Sequence, residues 1–296
     1  MNAVAAQLPV TIISVSYASA TIIGDMLRSV PAGVRVIVVD NASPDDSVAV
    51  ARAGGAEVVA LQRNIGFGPA CNAGAALATT PFLLFLNPDA RLTPECLGQL
   101  IAAAAQHPTA TAFNPRVTDG AGKPHFKRRS VLLPRRERMP RGWPAGDREV
   151  MVLSGAALFC RRDAFNAVGG FDPAIFLYHE DDDLALRLKA LGPLRFVHAA
   201  LVMHLEGRSS PRTPTMASLK AFHMARSRVY AMRKHGRPLP FLRSLFLACS
   251  AWLLPTTYFS ARRRSKSAAF ISGVWSARSN AMRTAISDAR DKQQCA

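Results

Sequence analysis

The chain has 296 residues, of which 49% are hydrophobic, 19% charged and 7% aromatic; this ordinary globular composition excludes a disordered, collagen-like or coiled-coil protein, and the length suits one large domain with an appendage. The net charge of +17 is unevenly spread: residues 206–296 carry 17 basic side chains against 3 acidic, whereas residues 1–205 carry 20 against 17. Such a basic tail seeks polyanions, either nucleic acid or the anionic leaflet of a membrane.

In chain order, β-rich apolar runs at 10–17, 34–40, 56–61 and 82–87 alternate with helical patterns at 20–30, 45–53, 68–79 and 94–106, the last starting after Thr93 as its cap. A second pair of strand-like runs follows at 150–160 and 194–204, with a helix predicted at 181–191 between them. Alternation of this kind predicts an α/β fold on a Rossmann-like parallel sheet, with ligands beyond the carboxyl ends of its strands. The N-terminus has no positively charged leader before the first run, so no cleaved signal peptide is expected. Five scattered cysteines without a C-x-x-C pair predict neither a disulfide framework nor a cysteine zinc site, which fits a reducing, cytoplasmic compartment.

Two segments break the rhythm. Residues 123–148 hold nine basic side chains and little periodicity; they read as a long loop that faces an anion, or as a solvated insertion. Residues 244–261 are uncharged and mostly apolar, with Arg243 before them and RRRSK at 262–266 after. An interfacial or re-entrant membrane segment, a marginal span and a buried core helix all remain open for that stretch.

The candidate chemistry lies at the strand ends. The turn after the first run, SVSYASAT, has no glycine, which argues against a dinucleotide-binding G-x-G-x-x-G site, and no Walker A loop is present. The second run ends in Asp40-Asn41, read either as a ligand contact or as the turn and cap former of Asp40-Asn41-Ala42-Ser43. The third leads to Arg63-Asn64-Ile65-Gly66-Phe67-Gly68, a cation and an amide before two glycines that let a backbone approach a ligand closely, and the fourth delivers Asp89 after Asn87-Pro88. A single carboxylate is a weak hard-metal site, so further oxygen or nitrogen ligands are sought in Glu180-Asp181-Asp182-Asp183 and in His204. Four adjacent acids at a helix start also suit the macrodipole, yet their mutual repulsion favours a cation or a substrate nearby.

Taken together, VTIISVSY, VVDNAS, RNIGFGPACNAG, FLLFLNPDA, the segment from LSGAALFC to LALRLKALG, and HLEGRSS span roughly residues 10–210 and resemble the family 2 glycosyltransferases of GT-A fold, in particular their rhamnosyltransferase-like branch. The resemblance implies a nucleotide-sugar contacted by Tyr17, Asp40, Asn41, Arg63, Asn64, Gly66 and Asn87, and Mg²⁺ or Mn²⁺ on the donor diphosphate held by Asp89 and His204. It implies Asp181 as general base, with Ser154, Gly155, Glu180, Asp183 and Arg187 in the acceptor or sugar pocket. A single base and no enzyme nucleophile imply inversion at the anomeric carbon; the absence of Q-x-x-R-W implies addition of one sugar.

Three departures stand out: Asn87-Pro88-Asp89 replaces the Asp-x-Asp of many relatives, Ala18 stands where many have Asn, and the additional acid Asp182 leaves two registers for the Glu-Asp pair, of which Tyr178 and Leu184 favour the one on Asp181. The expected organisation is a catalytic domain over 8–235 and a basic, partly apolar tail over 236–296 that associates with a membrane. The expected protein is a peripheral enzyme on the cytoplasmic face of the plasma membrane. It takes a nucleotide-sugar donor, dTDP-L-rhamnose before a UDP-sugar, and a polyprenyl-diphosphate-linked or other glycan acceptor, with the anionic membrane surface as partner and no nucleic acid. The competing readings are an inactive GT-A-like domain that binds a sugar nucleotide or a partner, and a basic nucleic-acid-binding protein.

Overall fold

Short apolar runs bounded by turn residues form the strands, and the longer Ala- and Leu-patterned stretches between them form the helices. A computed structural model of the chain describes residues 8–205, 213–253, 257 and 259–278. Strands β1 (Val10–Ser16), β2 (Arg35–Asp40), β3 (Glu57–Ala60) and β4 (Phe82–Leu86) lie in the spatial order β3-β2-β1-β4, all parallel. Helices α1 (Ile23–Arg28), α2 (Ser47–Ala53) and α3 (Phe67–Ala75) are the connections between them. Burial along the whole of β1 reflects helices on both faces. Val10 and Ile12 enter one core cluster with α1 and α4 (Cys96–Gln106), while Ile13 and Val15 enter the other with α3 and Phe85, Phe165 and Phe171, as period-two alternation requires.

Beyond β4 the sheet is mixed. β5 (Ala90–Leu92), β6 (Ala112–Thr118), β7 (Arg148–Val150), β8 (Ala157–Arg161) and β9 (Leu194–His204) complete it. β8 runs antiparallel to both β4 and β6, β6 runs parallel to β9, and β5 and β7 pair antiparallel with opposite ends of β9.

Three sequence expectations change here. The run at 150–160 is not one strand: β7 ends at Val150 and β8 begins at Ala157, and the intervening backbone at Ser154 is held by both ends of the Asn114 amide. β6 is hidden in the sequence by Pro115, which removes a ladder donor; the register shift between Pro115 and Arg116 accommodates it. Thr93 does not cap α4, whose N-cap is Glu95; the Thr93 hydroxyl donates instead to the Leu201 carbonyl at 3.0 Å.

After α5 (Arg162–Ala167), α6 (Glu180–Lys189) carries the acidic run. α7 (Pro214–Lys234), α8 (Pro240–Ser250) and α9 (Ala261–Ser276) follow, and Ala225 and Val229 of α7 are buried against Val274 and Ala277 at the α9 end. Most of the 244–261 stretch thus belongs to α8 and a short 3-10 turn, Ala251–Leu253, while Leu254, Pro255, Thr256 and Tyr258 lie outside the described residues, as does most of HLEGRSS beyond Leu205. Among the described residues no helix is long and apolar enough to cross a membrane. Cys71, Cys96 and Cys160 are buried free thiols and Cys249 is an exposed one.

Candidate active site

The carboxyl ends of β1, β2 and β4 open into a cleft of about 610 Å³, closed on its other sides by the 154–156 turn, the start of α6, the end of β9, residues 125–129 and α7. Of the residues singled out in the sequence, Tyr17, Asn41, Asn64, Gly66, Asn87, Ser154, Gly155, Glu180, Asp181 and His204 line it. Asp40, Arg63, Asp89, Asp183 and Arg187 do not.

On the β2 side the sequence builds a stitched turn. The Asn41 amide donates to Asn64 Oδ1 at 2.9 Å and to the Gly66 carbonyl at 3.1 Å, and its oxygen accepts from the Ile65 N–H at 2.9 Å. Gly66 is required there: its φ is +96°, and a Cβ would lie 2.5 Å from the Phe176 carbonyl oxygen. Asp40, only 3% exposed, accepts from the Ser16 hydroxyl at 2.7 Å, from the Ser43 N–H at 2.9 Å and from the Ser43 hydroxyl. This is the turn-forming arrangement, and it leaves the side chain behind the cleft wall. Arg63 is exposed. Ala18 has a φ of +54°, a left-handed conformation in which Asn is enriched.

On the β4 side Asp89, its side chain 1% exposed, meets His204 of β9, with Oδ1 and Nε2 3.1 Å apart. Asn87 Nδ2 lies 3.3 Å from the same imidazole nitrogen, and His204 Nδ1 is buried without a partner. Three or more His, Cys, Asp or Glu side chains are nowhere gathered for a metal among the described residues. In chemistry the pair fits Mg²⁺ or Mn²⁺: one carboxylate and one imidazole would hold a hard cation whose remaining shell came from water and substrate phosphate, as Mg²⁺ usually requires.

The start of α6 forms another wall of the cleft. Tyr178 and His179 precede it with φ of +66° and +68°, consecutive left-handed residues of a kind that concentrates at functional sites. Successive helical residues point about 100° apart, so adjacent acids diverge, and the packing around each decides the rest. Asp181 faces the cleft, where its Oδ2 accepts from the Gly155 N–H at 3.0 Å and from Lys127 Nζ at 2.6 Å. Gly155 permits that approach, since a Cβ would stand 3.1 Å from the carboxylate oxygen. Asp182 takes the other side of the Lys127 ammonium at 2.9 Å and lies 3.2 Å from His179 Nδ1. Burial opposes its ionisation, but Lys127 and His179 outweigh that and hold the Asp182 carboxyl below its ordinary range. Burial would likewise lower Lys127, and the charges of Asp181 and Asp182 raise it well above an ordinary lysine.

The Lys127 charge also acts on Glu180, but burial outweighs it. Burial, with the Asp181 charge beside it, pushes its carboxyl up to about 8, and its Oε2 is buried without a hydrogen-bond partner. Its surroundings favour the protonated form, and it lines the cleft. Asp183 turns away to α7 and is fully buried. Its oxygens bind Arg187 at 2.7 and 2.9 Å, Lys234 at 2.7 Å and His235 at 2.8 Å, while Arg187 also donates to the Val168 and Gly170 carbonyls. Asp183 and Arg187 therefore tie α6 to its neighbours and stand apart from the cleft. Sequence reasoning missed Lys127, together with His125, Arg128, Arg129 and Lys220, which also line it; the signal for most of them was the basic run at 123–148.

Against known proteins, the family model for glycosyl transferase family 2 matches residues 11–169. An N-acetylglucosaminyl-diphospho-decaprenol L-rhamnosyltransferase from Mycobacterium tuberculosis is 30% identical over 271 residues, covering 79% of this chain and 87% of that protein. Similar folds are the TarS 1–349 structure from S. aureus in complex with UDP, at a TM-score of 0.53 and 17% identity over 86% of this chain and 72% of that one, and a mannosyltransferase, PcManGT from Pyrobaculum calidifontis, in complex with GDP-Man and Mn²⁺, at 0.55 and 16% over 96% and 79%. The chain belongs to glycosyl transferase family 2: it is a glycosyltransferase whose mixed sheet and flanking helices form a GT-A fold.

Proposed function

We propose that the enzyme transfers one sugar, with inversion, from a nucleotide-sugar to a diphosphate-linked lipid glycan at the inner face of the plasma membrane. The observation that carries this reading is that Asp181 and His204 line one cleft at the strand ends, with Asp89 held against His204 at 3.1 Å behind its wall. Displacement at an anomeric carbon needs a base on one side of the sugar and charge stabilisation on the other. Asp181 takes the proton of the acceptor hydroxyl as the oxygen attacks, and the Gly155 N–H and Asp182 N–H fix its rotamer. Asn41, Asn64 and Gly66 form the turn that receives the nucleoside, with Tyr17 and Asn87 along the same wall. Asp89 and His204 hold Mg²⁺ or Mn²⁺, which when bound neutralises charge on the departing diphosphate. Glu180, protonated, donates to a sugar or acceptor oxygen. An L-rhamnosyl donor and the diphosphate-linked acceptor class are supported by the name of the mycobacterial relative; dTDP is the base we assign to that donor, with a UDP-sugar second. The catalytic unit is assigned to 8–235 and the basic tail to 236–296.

The tail supports the membrane setting. Leu239, Leu242, Leu247, Phe246 at 77% exposure and Phe259 at 90% are apolar side chains presented to solvent around α8. Arg243, Arg262, Arg263 and Lys266 are exposed beside them. Exposed apolar side chains with exposed cations in the same stretch of chain suit an interfacial helix on anionic lipid.

The test is a thermal-shift titration of purified protein against dTDP, UDP, GDP and ADP, each with Mn²⁺ and with EDTA. A ligand that binds only the folded state raises its melting temperature by mass action. A Mn²⁺-dependent shift with a pyrimidine diphosphate, lost in Asp89→Ala, is expected. A shift equal in EDTA, or unchanged in Asp89→Ala, overturns the metal assignment, and no shift with any nucleotide overturns the donor site.

A further inference from the structure

The segment 123–148 is a docked rim. Phe126 packs edge-on against Phe196 with ring centroids 5.4 Å apart, Arg116 stacks over Trp143 at 5.2 Å, and the Met139 N–H donates to the Arg128 carbonyl at 2.9 Å, folding the loop back on itself. Its path through the cleft is ordered: His125 meets His204 at 6.2 Å between rings, Lys127 reaches Asp181 and Asp182, and Arg128 and Arg129 follow. The chain thus runs from His204 towards Asp181, and the two arginines follow Lys127 directly in the lining of the cleft. The fold gathers more like charge there. Slight desolvation and the nearby Arg138, Arg141 and Arg129 hold the Arg128 guanidinium below its ordinary value. Among the described residues none of these four arginines is paired with a carboxylate, unlike Lys127. Like charges set together on a docked loop repel, and an anion between them relieves that repulsion. Planar guanidinium forks match phosphate oxygens in pairs.

We infer that Arg128 and Arg129, backed by Arg138 and Arg141, bind the diphosphate of the acceptor, a second anion subsite distinct from that of the donor. Diphosphate is common to donor and acceptor. The order of the loop assigns this subsite to the acceptor, because a sugar held with its diphosphate on Arg128 and Arg129 presents its far hydroxyl to Asp181, whose carboxylate touches the preceding Lys127. A neutral glycan with the same sugar has nothing for the rim to hold, so the subsite selects diphosphate-linked acceptors. This rests on the lipid-linked acceptor proposed above.

The test uses the full chain and two soluble probes, N-acetylglucosamine joined to farnesol through a diphosphate and through a monophosphate, with dTDP and UDP plus Mn²⁺ as donor-side ligands. Calorimetry on the wild type and on the Arg128→Ala/Arg129→Ala double variant reads each affinity. The diphosphate probe is expected to bind the wild type more tightly than the monophosphate, weaken with added salt, and lose about tenfold or more in the variant, while nucleotide affinity stays within about twofold. Equal binding of the diphosphate probe by wild type and variant overturns the subsite and leaves the acceptor reading standing. A wild type that binds nucleotide and neither probe overturns both. A parallel fall in nucleotide affinity in the variant assigns the arginines to the donor and overturns the inference.

Discussion

Asp183→Asn separates a structural carboxylate from a catalytic one. Asp183 is fully buried; burial would raise its carboxyl, but His235, Arg187 and Lys234 hold it down at about 2, against an ordinary value of 3.8. The difference corresponds to roughly 2–3 kcal/mol at neutral pH. Removing one member of a buried pair typically costs about 3–5 kcal/mol, because the remaining charges stay buried. Here Arg187 keeps two carbonyl acceptors and Lys234 keeps Asp172, so about 3 kcal/mol is expected, a fall of roughly 5–10 °C in Tm.

The sign follows from the depressed value. The stabilisation is present above 3.8 and is lost as the pH falls towards about 2, so the gap between wild type and variant is constant near neutrality and closes in acid. Urea denaturation followed by circular dichroism at pH 7 and in a series down to pH 3 measures both. A variant within about 1 kcal/mol of wild type at pH 7 refutes the network. Loss of nucleotide binding by folded variant at low temperature refutes the placement of Asp183 outside the cleft.

Glu180→Gln removes a carboxyl held at about 8. Its raised value favours folding below the ordinary 4.5 and loses that advantage as pH rises through about 8, so the variant gains stability relative to wild type over that window, on the order of a few kcal/mol; parallel denaturation curves check it, and a pH-independent difference contradicts the buried acid. Asp181→Asn should lower turnover by about 10²- to 10⁴-fold while nucleotide affinity persists, measured by sugar release and calorimetry; retained turnover moves the base elsewhere. Gly66→Ala should cost about 2 kcal/mol or more, since φ is +96° and the added Cβ meets the Phe176 carbonyl; chemical denaturation decides it, a neutral result meaning that the turn is looser than described. Phe246→Asp should weaken flotation with vesicles containing phosphatidylglycerol and leave nucleotide binding intact; undiminished flotation removes α8 from the membrane face.

Local pattern was enough for the parallel half of the sheet. The runs at 10–17, 34–40, 56–61 and 82–87 are apolar, β-branched and bounded by turns, and each has a strand in the structure. The same locality made Asn41, Asn64, Gly66 and His204 recognisable, since each follows or ends a strand. It failed at β6, where Pro115 breaks the expected alternation and a register shift absorbs it, and at the antiparallel direction of β8, which depends on a long connection and not on residue type.

By itself the sequence determined the strand-helix alternation, the strand-end residues, the acidic run and the concentration of positive charge. Only the tertiary structure decided what each acid faces. Four consecutive carboxylates look alike in sequence, but in the fold Glu180 and Asp181 line the cleft, Asp182 meets His179 and Lys127, and Asp183 meets Arg187, Lys234 and His235; helical rotation does not make that division, since residues three apart share a face. Lys127 joins Asp181 across 54 positions of chain, a pairing that no spacing encodes because it arises where the packed loop and the packed helix meet. Charge and periodicity are properties of neighbours in sequence, whereas desolvation and ion pairing belong to neighbours in space.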